Sequence, residues 1–178
     1  MSSNGTTTSS SPSSSDGARG ADSPIASRSE FHAALRSALA EAAAHGCREL
    51  WLCDRDFADW PLGERVVVES FAQWAGSHRR LTLIACHFDE VVRRHARWVE
   101  WRRTWSHIVH CRSNTELEGS EMPSVLLASD LLSVSLVDPV RYRGRASHDA
   151  SHASRCREMI DAVLQRSEEA FPVTTAGI

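Results

Sequence analysis

The sequence contains no lysine, since its 20 Lys-plus-Arg residues are all arginine. This absence excludes mechanisms in which a lysine forms a Schiff base or holds a nucleotide phosphate in a P-loop. No apolar stretch approaches the roughly 20 residues that cross a bilayer. Residues 1–17 lack the basic and apolar regions of a signal peptide. We therefore expect a cytoplasmic protein that does not enter a membrane.

Cysteines are few and irregularly spaced. There are 5, an odd number with no C-x-x-C pair, so a secreted disulfide framework is not expected. Cys53, Cys86 and Cys111 each end a predicted strand, and histidines stand beside two of them. Cysteine and histidine together are zinc ligands, but free cysteine is also a common small core residue. We predict buried thiols, no metal and no cofactor.

The chain divides into a tail and one domain. Residues 1–27 are rich in Ser, Thr and Gly and lack core-forming side chains, which predicts a disordered N-terminal tail. Residues 28–178 are predicted to form a single α/β domain. Ser27 and Glu30 have the spacing of a capping box at the start of a helix, and Gly46 is a plausible end for that helix.

Short apolar runs then alternate with amphipathic segments. Three apolar runs predict strands, at 48–53, 81–86 and 108–111, separated by helical patterns at 63–80 and 88–107. This alternation is typical of parallel βαβ units. Two further runs, at 124–128 and 131–138, predict an antiparallel hairpin, and a final helix is predicted over 151–171. The fold class is therefore α/β, a mixed sheet with flanking helices.

The segment 88–107 combines tryptophan and arginine. Phe88, Val91, His95, Trp98 and Trp105 fall on one face of a continuous helix, with Trp101 at its edge. We interpret this face as the surface that packs on the sheet, with the arginines in solvent. The alternative is a nucleic-acid surface, because arginine forks match phosphate and exposed tryptophans stack on bases. Its candidate residues are Arg93, Arg97, Arg102 and Arg103.

Acidic residues follow the first strand. Asp54 and Asp56 lie where open α/β sheets usually bind ligands, and His87 and His110 lie near the ends of the next two strands. These four residues are candidate binding residues, although aspartates at such positions more often cap loops. His148 and His152 are expected to be exposed.

The order of elements resembles one half of the phospholipase D-like (PLD-like) fold, and more narrowly a poorly characterised family of bacterial PLD-like domains. The matching landmarks are "LWLCDRDFADWPL", "VVRRHARWVEWRRTWSHIVHCR", "MPSVLLASDLLSVSLVD" and "LQRSEEAFPVTTAGI". Together they extend the resemblance over residues 28–178.

The resemblance also implies a degenerate catalytic site. Active members of the superfamily carry His-x-Lys, four residues and then Asp on the hairpin. The corresponding positions here are Pro123, Val125 and Asp130, so Asp130 alone matches. Proline cannot act as the nucleophile, and valine cannot hold a phosphate. The resemblance further implies pairing as a homodimer.

We therefore expect a non-catalytic PLD-like binding or regulatory module whose partner is a small molecule or a protein. Two alternatives stay open. One is an enzyme with a different site at the strand ends, and the other is a nucleic-acid-binding protein that uses the arginine-rich helix.

Overall fold

The computed structural model describes Met1 and residues 22–172. The predicted tail lies outside these residues from position 2 to position 21, as do residues 173–178. The elements are β1 (Ser23–Ile25), α1 (Arg28–His45), β2 (Glu49–Cys53), α2 (Arg65–Trp74), β3 (Arg80–Ala85), α3 (Asp89–Arg94), α4 (Ala96–Thr104), β4 (Val109–Ser113), β5 (Ser124–Ala128), β6 (Leu132–Asp138), β7 (Arg143–Ser147), α5 (Ala150–Leu164) and β8 (Glu168–Glu169).

A single mixed sheet organises these elements, in the order β1-β7-β6-β5-β2-β3-β4-β8. Strands β2, β3 and β4 are parallel, and β5, β6 and β7 add antiparallel neighbours on the other side of β2. The predicted α/β class, with parallel βαβ units and an antiparallel hairpin, is confirmed. The carboxyl ends of β2 and β3 therefore lie at the same edge of the sheet as the start of β5.

The two faces of the sheet are covered unequally. Helices α1, α2 and α4 pack on one face, where Leu52 and Leu83 belong to the main core. Of the described helices, only α5 packs on the other face, over Trp51 and Val125. One helix cannot cover a sheet of this width, so part of the α5 face is open over β3 and β4.

The first helix begins and ends as the sequence predicts. The Ser27 hydroxyl accepts the N–H of Glu30 at 3.3 Å, and the Glu30 carboxylate accepts the N–H of Ala26 at 2.6 Å. The reciprocal bond thus reaches one residue further back than in the usual capping box. Gly46 ends the helix in the left-handed region at φ 68°, where glycine has no steric penalty.

The predicted long helix is broken at His95, which separates α3 from α4. The His95 ring bonds to the loop after β2: Nδ1 accepts the N–H of Gly63 at 3.1 Å, and Nε2 donates to the carbonyl of Phe57 at 2.8 Å. The bond from Gly63 needs the neutral ring, because a protonated Nδ1 cannot accept, and burial lowers the pKa of His95, which favours that form.

Burial keeps the spacing of one helical face across this break and decreases toward the end of α4. Trp98 is fully buried and Trp101 nearly so, whereas Trp105 is only partly buried at the margin of the core. The predicted stripe is therefore buried from Phe88 to Trp98, and only its last member, Trp105, departs from the prediction.

Several strands were not predicted. Residues 23–25 were assigned to the tail, yet they form β1, which pairs with β7, and Ile25 is buried in the core. The short β8 pairs with β4 at the opposite edge of the sheet. The helix α5 ends at Leu164, earlier than the sequence predicts. Among the described residues, no helix has both the length and the apolar character needed to cross a membrane.

The different burial of the tryptophans leads to a testable prediction. Trp98→Ala should lower the free energy of unfolding by about 3–5 kcal/mol, because it leaves a large cavity. Trp105→Ala should cost roughly 1 kcal/mol, since that side chain is already partly in water. Chemical denaturation of both variants measures the difference. Equal losses would contradict this difference in burial.

Candidate binding site at the carboxyl ends of the strands

A cavity of about 510 Å³ lies where β2 ends, β5 begins and β6 turns into β7. We call it the strand-end cavity. It is the place where open α/β sheets usually bind ligands, and its volume lies in the range of small-molecule sites. Its polar walls are formed by Asp54, Arg55, Asp56, Asp59, Ser124 and Asp138, and Trp60 contributes an indole ring.

Asp54 stabilises the turn that forms one wall of the cavity. Its Oδ2 accepts the backbone N–H groups of Asp56, at 3.2 Å, and of Phe57, at 2.9 Å, which folds the chain after β2 into a tight turn. The Trp60 indole nitrogen and the Ser124 hydroxyl are both buried without a hydrogen bond of good geometry. A polar group buried in this way is costly unless another group completes its bonding.

Burial raises the pKa of Asp54. The Ser124 hydroxyl, the N–H groups of the turn and the Trp60 indole act against this shift, because they stabilise the charged carboxylate. Both Ser124 and Trp60 therefore lie close to the carboxylate. Asp54 is thus a desolvated acid surrounded by hydrogen-bond donors.

Asp54 is the one cavity-lining acid for which the described residues provide no arginine partner. The other acids of the cavity are paired, as Arg28–Asp59 at 3.4 Å, Arg55–Asp56 at 3.8 Å and Arg141–Asp138 at 3.1 Å. The cavity can therefore accept a group that brings its own positive charge or its own hydrogen-bond donors. It does not suit an anion.

The structure brings together two of the four residues predicted at the strand ends. Asp54 and Asp56 share one turn, whereas His87 is exposed and faces Asp89 at 3.6 Å. The placement of His110 in this site is wrong. His110 is the second residue of β4 and pairs in register with Thr82, inside the sheet and on the face that carries α5.

The three strand-end thiols do not converge. Cys53 packs on the α5 face and Cys111 on the opposite one, because alternate residues of a strand point to opposite faces. Cys86 is half-buried. Burial raises the pKa of all three thiols, that of Cys111 to about 11. No group of three metal-ligating side chains occurs within the described part of the chain.

Most arginines of the α3–α4 segment are engaged locally. Glu90 accepts both Arg93 and Arg94, and Glu100 accepts Arg103. Arg97 donates to the carbonyl of Gly63 at 3.2 Å. These contacts reduce the positive charge that the proposed nucleic-acid surface would need.

Arg102 corrects the expectation of a solvent-exposed rim. It is 5% exposed, donates to the carbonyl of Phe171 and stacks on the ring of that residue at 4.3 Å. Arg102 lies four residues after Trp98 and therefore shares the buried face of α4. The long aliphatic part of arginine allows its burial against an aromatic ring.

The sequence does not predict a second polar cluster, which is formed by His152, Ser133 and Ser135. His152 was expected to be exposed but is 4% exposed, with its ring nitrogens 2.7 Å from the Ser133 hydroxyl and 3.1 Å from that of Ser135. The alternating Ser133 and Ser135 of β6 place two hydroxyls on the α5 face, where His152 satisfies them. The cluster is closed to substrates and holds α5 on the sheet.

Comparison with protein-family models and with curated proteins finds no match. Among solved structures, the chain is similar to TrmBL2, described as an archaeal chromatin protein that shows a novel mode of DNA binding. The TM-score is 0.60 with 10% sequence identity, over 89% of this chain and 57% of that chain. The chain therefore spans little more than half the length of that protein, and the similarity concerns the fold alone.

The raised pKa of Asp54 predicts an unusual effect of its replacement. A raised folded-state pKa means that the charged carboxylate destabilises the fold at pH 7 relative to a neutral group. Asp54→Asn keeps an oxygen for the turn and removes the charge. It should raise the free energy of unfolding at pH 7, and the gain should shrink as the pH falls toward 3.8, the ordinary pKa of this acid.

Denaturation curves of Asp54→Asn at several pH values test this expectation. Asp59→Asn is the matched control, because its exposed pair with Arg28 should contribute less than about 1 kcal/mol. A loss of stability in Asp54→Asn that is the same at every pH would show that the turn, and not the buried charge, dominates.

Proposed function

We propose that the chain is a non-catalytic PLD-like binding or regulatory module that takes a small polar ligand in the strand-end cavity. The observation that carries this proposal is Asp54, an acid of raised pKa with no arginine partner among the described residues, lining that cavity. Buried acids that weaken a fold are commonly kept for binding or chemistry.

The charge of the cavity defines the class of ligand. Four of its lining residues are aspartates and one is an arginine. A ligand with an ammonium group would gain an ion pair with Asp54, and a hydroxyl-bearing ligand would donate hydrogen bonds to it. A phosphate would meet repulsion. The ligand we propose is therefore a small amine, with neutral hydroxyl-bearing compounds as weaker binders.

The residues at the PLD-like positions support a module without phosphodiesterase activity. Val125, at the place of the phosphate-binding lysine, is buried against α5 and faces away from the main core. Pro123, at the place of the nucleophile, offers no group that can attack phosphorus. Neither position contributes to the binding of an anion.

The proposal is tested by thermal denaturation with added putrescine, glycerol or inorganic phosphate. Putrescine should raise the melting temperature of the native chain and of Asp89→Asn, whose exposed carboxylate lies outside the cavity. It should leave that of Asp54→Asn unchanged, because the ion pair is lost. A shift produced by phosphate alone, or a putrescine shift that survives in Asp54→Asn, would contradict the proposed site.

We further propose that the module self-associates, as the PLD-like resemblance implies. Val137 and Val140 support this, because both line the strand-end cavity yet are 87% and 88% exposed. Exposed apolar side chains beside a binding site are typical of an interface. Light scattering should show a dimer that Val140→Asp dissociates and that Val92→Asp, on α3, does not. A monomeric native chain would refute the proposal.

Nucleic-acid binding is the second candidate, and the structural similarity to the DNA-binding protein TrmBL2 favours it. The arginines of the α3–α4 segment support it weakly, since Arg93, Arg94 and Arg103 already have carboxylate partners. If DNA binding involves these arginines, Arg93→Gln and Arg103→Gln should weaken it and reduce its dependence on salt. Unchanged binding would direct attention to another basic surface.

A further inference from the structure

A second cavity, of about 600 Å³, lies where the α5 face of the sheet is open over β3 and β4. We call it the basic cleft. It is built on the sheet next to the end of α5, between Trp51 of β2 and the residues that follow β8. It stands apart from the strand-end cavity and shares no lining residue with it.

Arginine side chains dominate this cleft. Its arginines are Arg80, Arg102 and Arg112, His107 and His110 also line it, and Glu169 is the single acid among its described lining residues. Burial and the nearby Arg80 lower the pKa of His110, which favours its neutral form. None of the three arginines has a carboxylate partner within 4.0 Å in the described chain, whereas most other described arginines do. The cleft therefore concentrates positive charge that the fold itself does not neutralise.

Two of the arginines are held in place by neutral groups. Arg112 donates its Nε to the Ser167 hydroxyl at 3.3 Å and an amino group to the carbonyl of the same residue. Arg102 is held by the carbonyl and the ring of Phe171, and its Nε is buried without a partner. Carbonyls and hydroxyls orient a guanidinium without cancelling its charge, which is the arrangement of a preorganised anion site.

The floor of the cleft contains another unsatisfied group. Thr82 is 2% exposed, its hydroxyl has no hydrogen-bond partner in the described chain, and it lies between Trp51 and His110 in the register of the sheet. A buried hydroxyl without a partner, at the floor of a cavity, is costly unless a ligand completes its bonding.

We propose that the basic cleft binds the phosphate group of a ligand, held by Arg80, Arg112 and His110. Guanidinium groups match the oxygens of phosphate with paired hydrogen bonds. The phosphate can belong to a small molecule or to a nucleic-acid strand, and the concave shape of the cleft fits either source.

Calorimetric titration with inorganic pyrophosphate, in a buffer free of other oxyanions, tests the site. The native chain should bind, and Arg80→Gln and Arg112→Gln should each weaken binding at least about tenfold. Arg65→Gln is the matched control, because it removes the same charge from an exposed residue of α2 that pairs with Glu69. The affinity of Arg65→Gln for pyrophosphate should equal that of the native chain. Melting curves should establish that all variants are folded.

A parallel titration with short oligothymidylate identifies the source of the phosphate. Binding of pyrophosphate alone indicates a small-molecule ligand. Binding of the oligonucleotide that is lost in Arg80→Gln and Arg112→Gln indicates a nucleic-acid strand. The proposal is overturned if neither probe binds, or if the affinities of both probes are the same in these variants as in Arg65→Gln.

Discussion

The neutral ring of His95 is the interaction on which much of the remaining structure depends. It accepts a hydrogen bond from Gly63 and donates one to Phe57, so it joins the loop after β2 to the junction of α3 and α4. The same loop carries Asp54 and Trp60, which line the strand-end cavity. One buried histidine thus joins the loop that forms the acidic site to the junction of the two helices.

Two cavities of opposite charge follow from the unequal covering of the sheet. The acidic one lies at the edge where β2 ends, and the basic one lies on the face that α5 leaves open. Opposite charges placed apart allow one small module to hold two chemically different ligands without competition between them. Coupling between the two cavities would pass through β2 and β3. Trp51 of β2 lines the basic cleft, and Asp54, directly after β2, lines the strand-end cavity.

The parts of the fold that were predictable depend on local signals. Short stretches of sequence determine the capping by Ser27, the turn at Gly46 and the apolar runs of β2, β3 and the hairpin. The acids after β2 are predictable from the same kind of local signal. What failed depends on tertiary contacts. His95 has the spacing of a core residue, yet its distant partners hold it at a break in the helix, and Arg102 is buried against Phe171, which follows β8. Ser124 carries no local signal, because it approaches Asp54 only through the pairing of β2 with β5.

The two shortest strands protect a large sheet from aggregation. β1 has 3 residues and covers β7, and β8 has 2 residues and covers part of β4. An uncovered edge strand offers unpaired N–H and C=O groups with which another polypeptide chain can pair. Pro24 lies in β1 and has no N–H to donate to such a chain, which further discourages added pairing. These few residues therefore cover both edges of the described sheet.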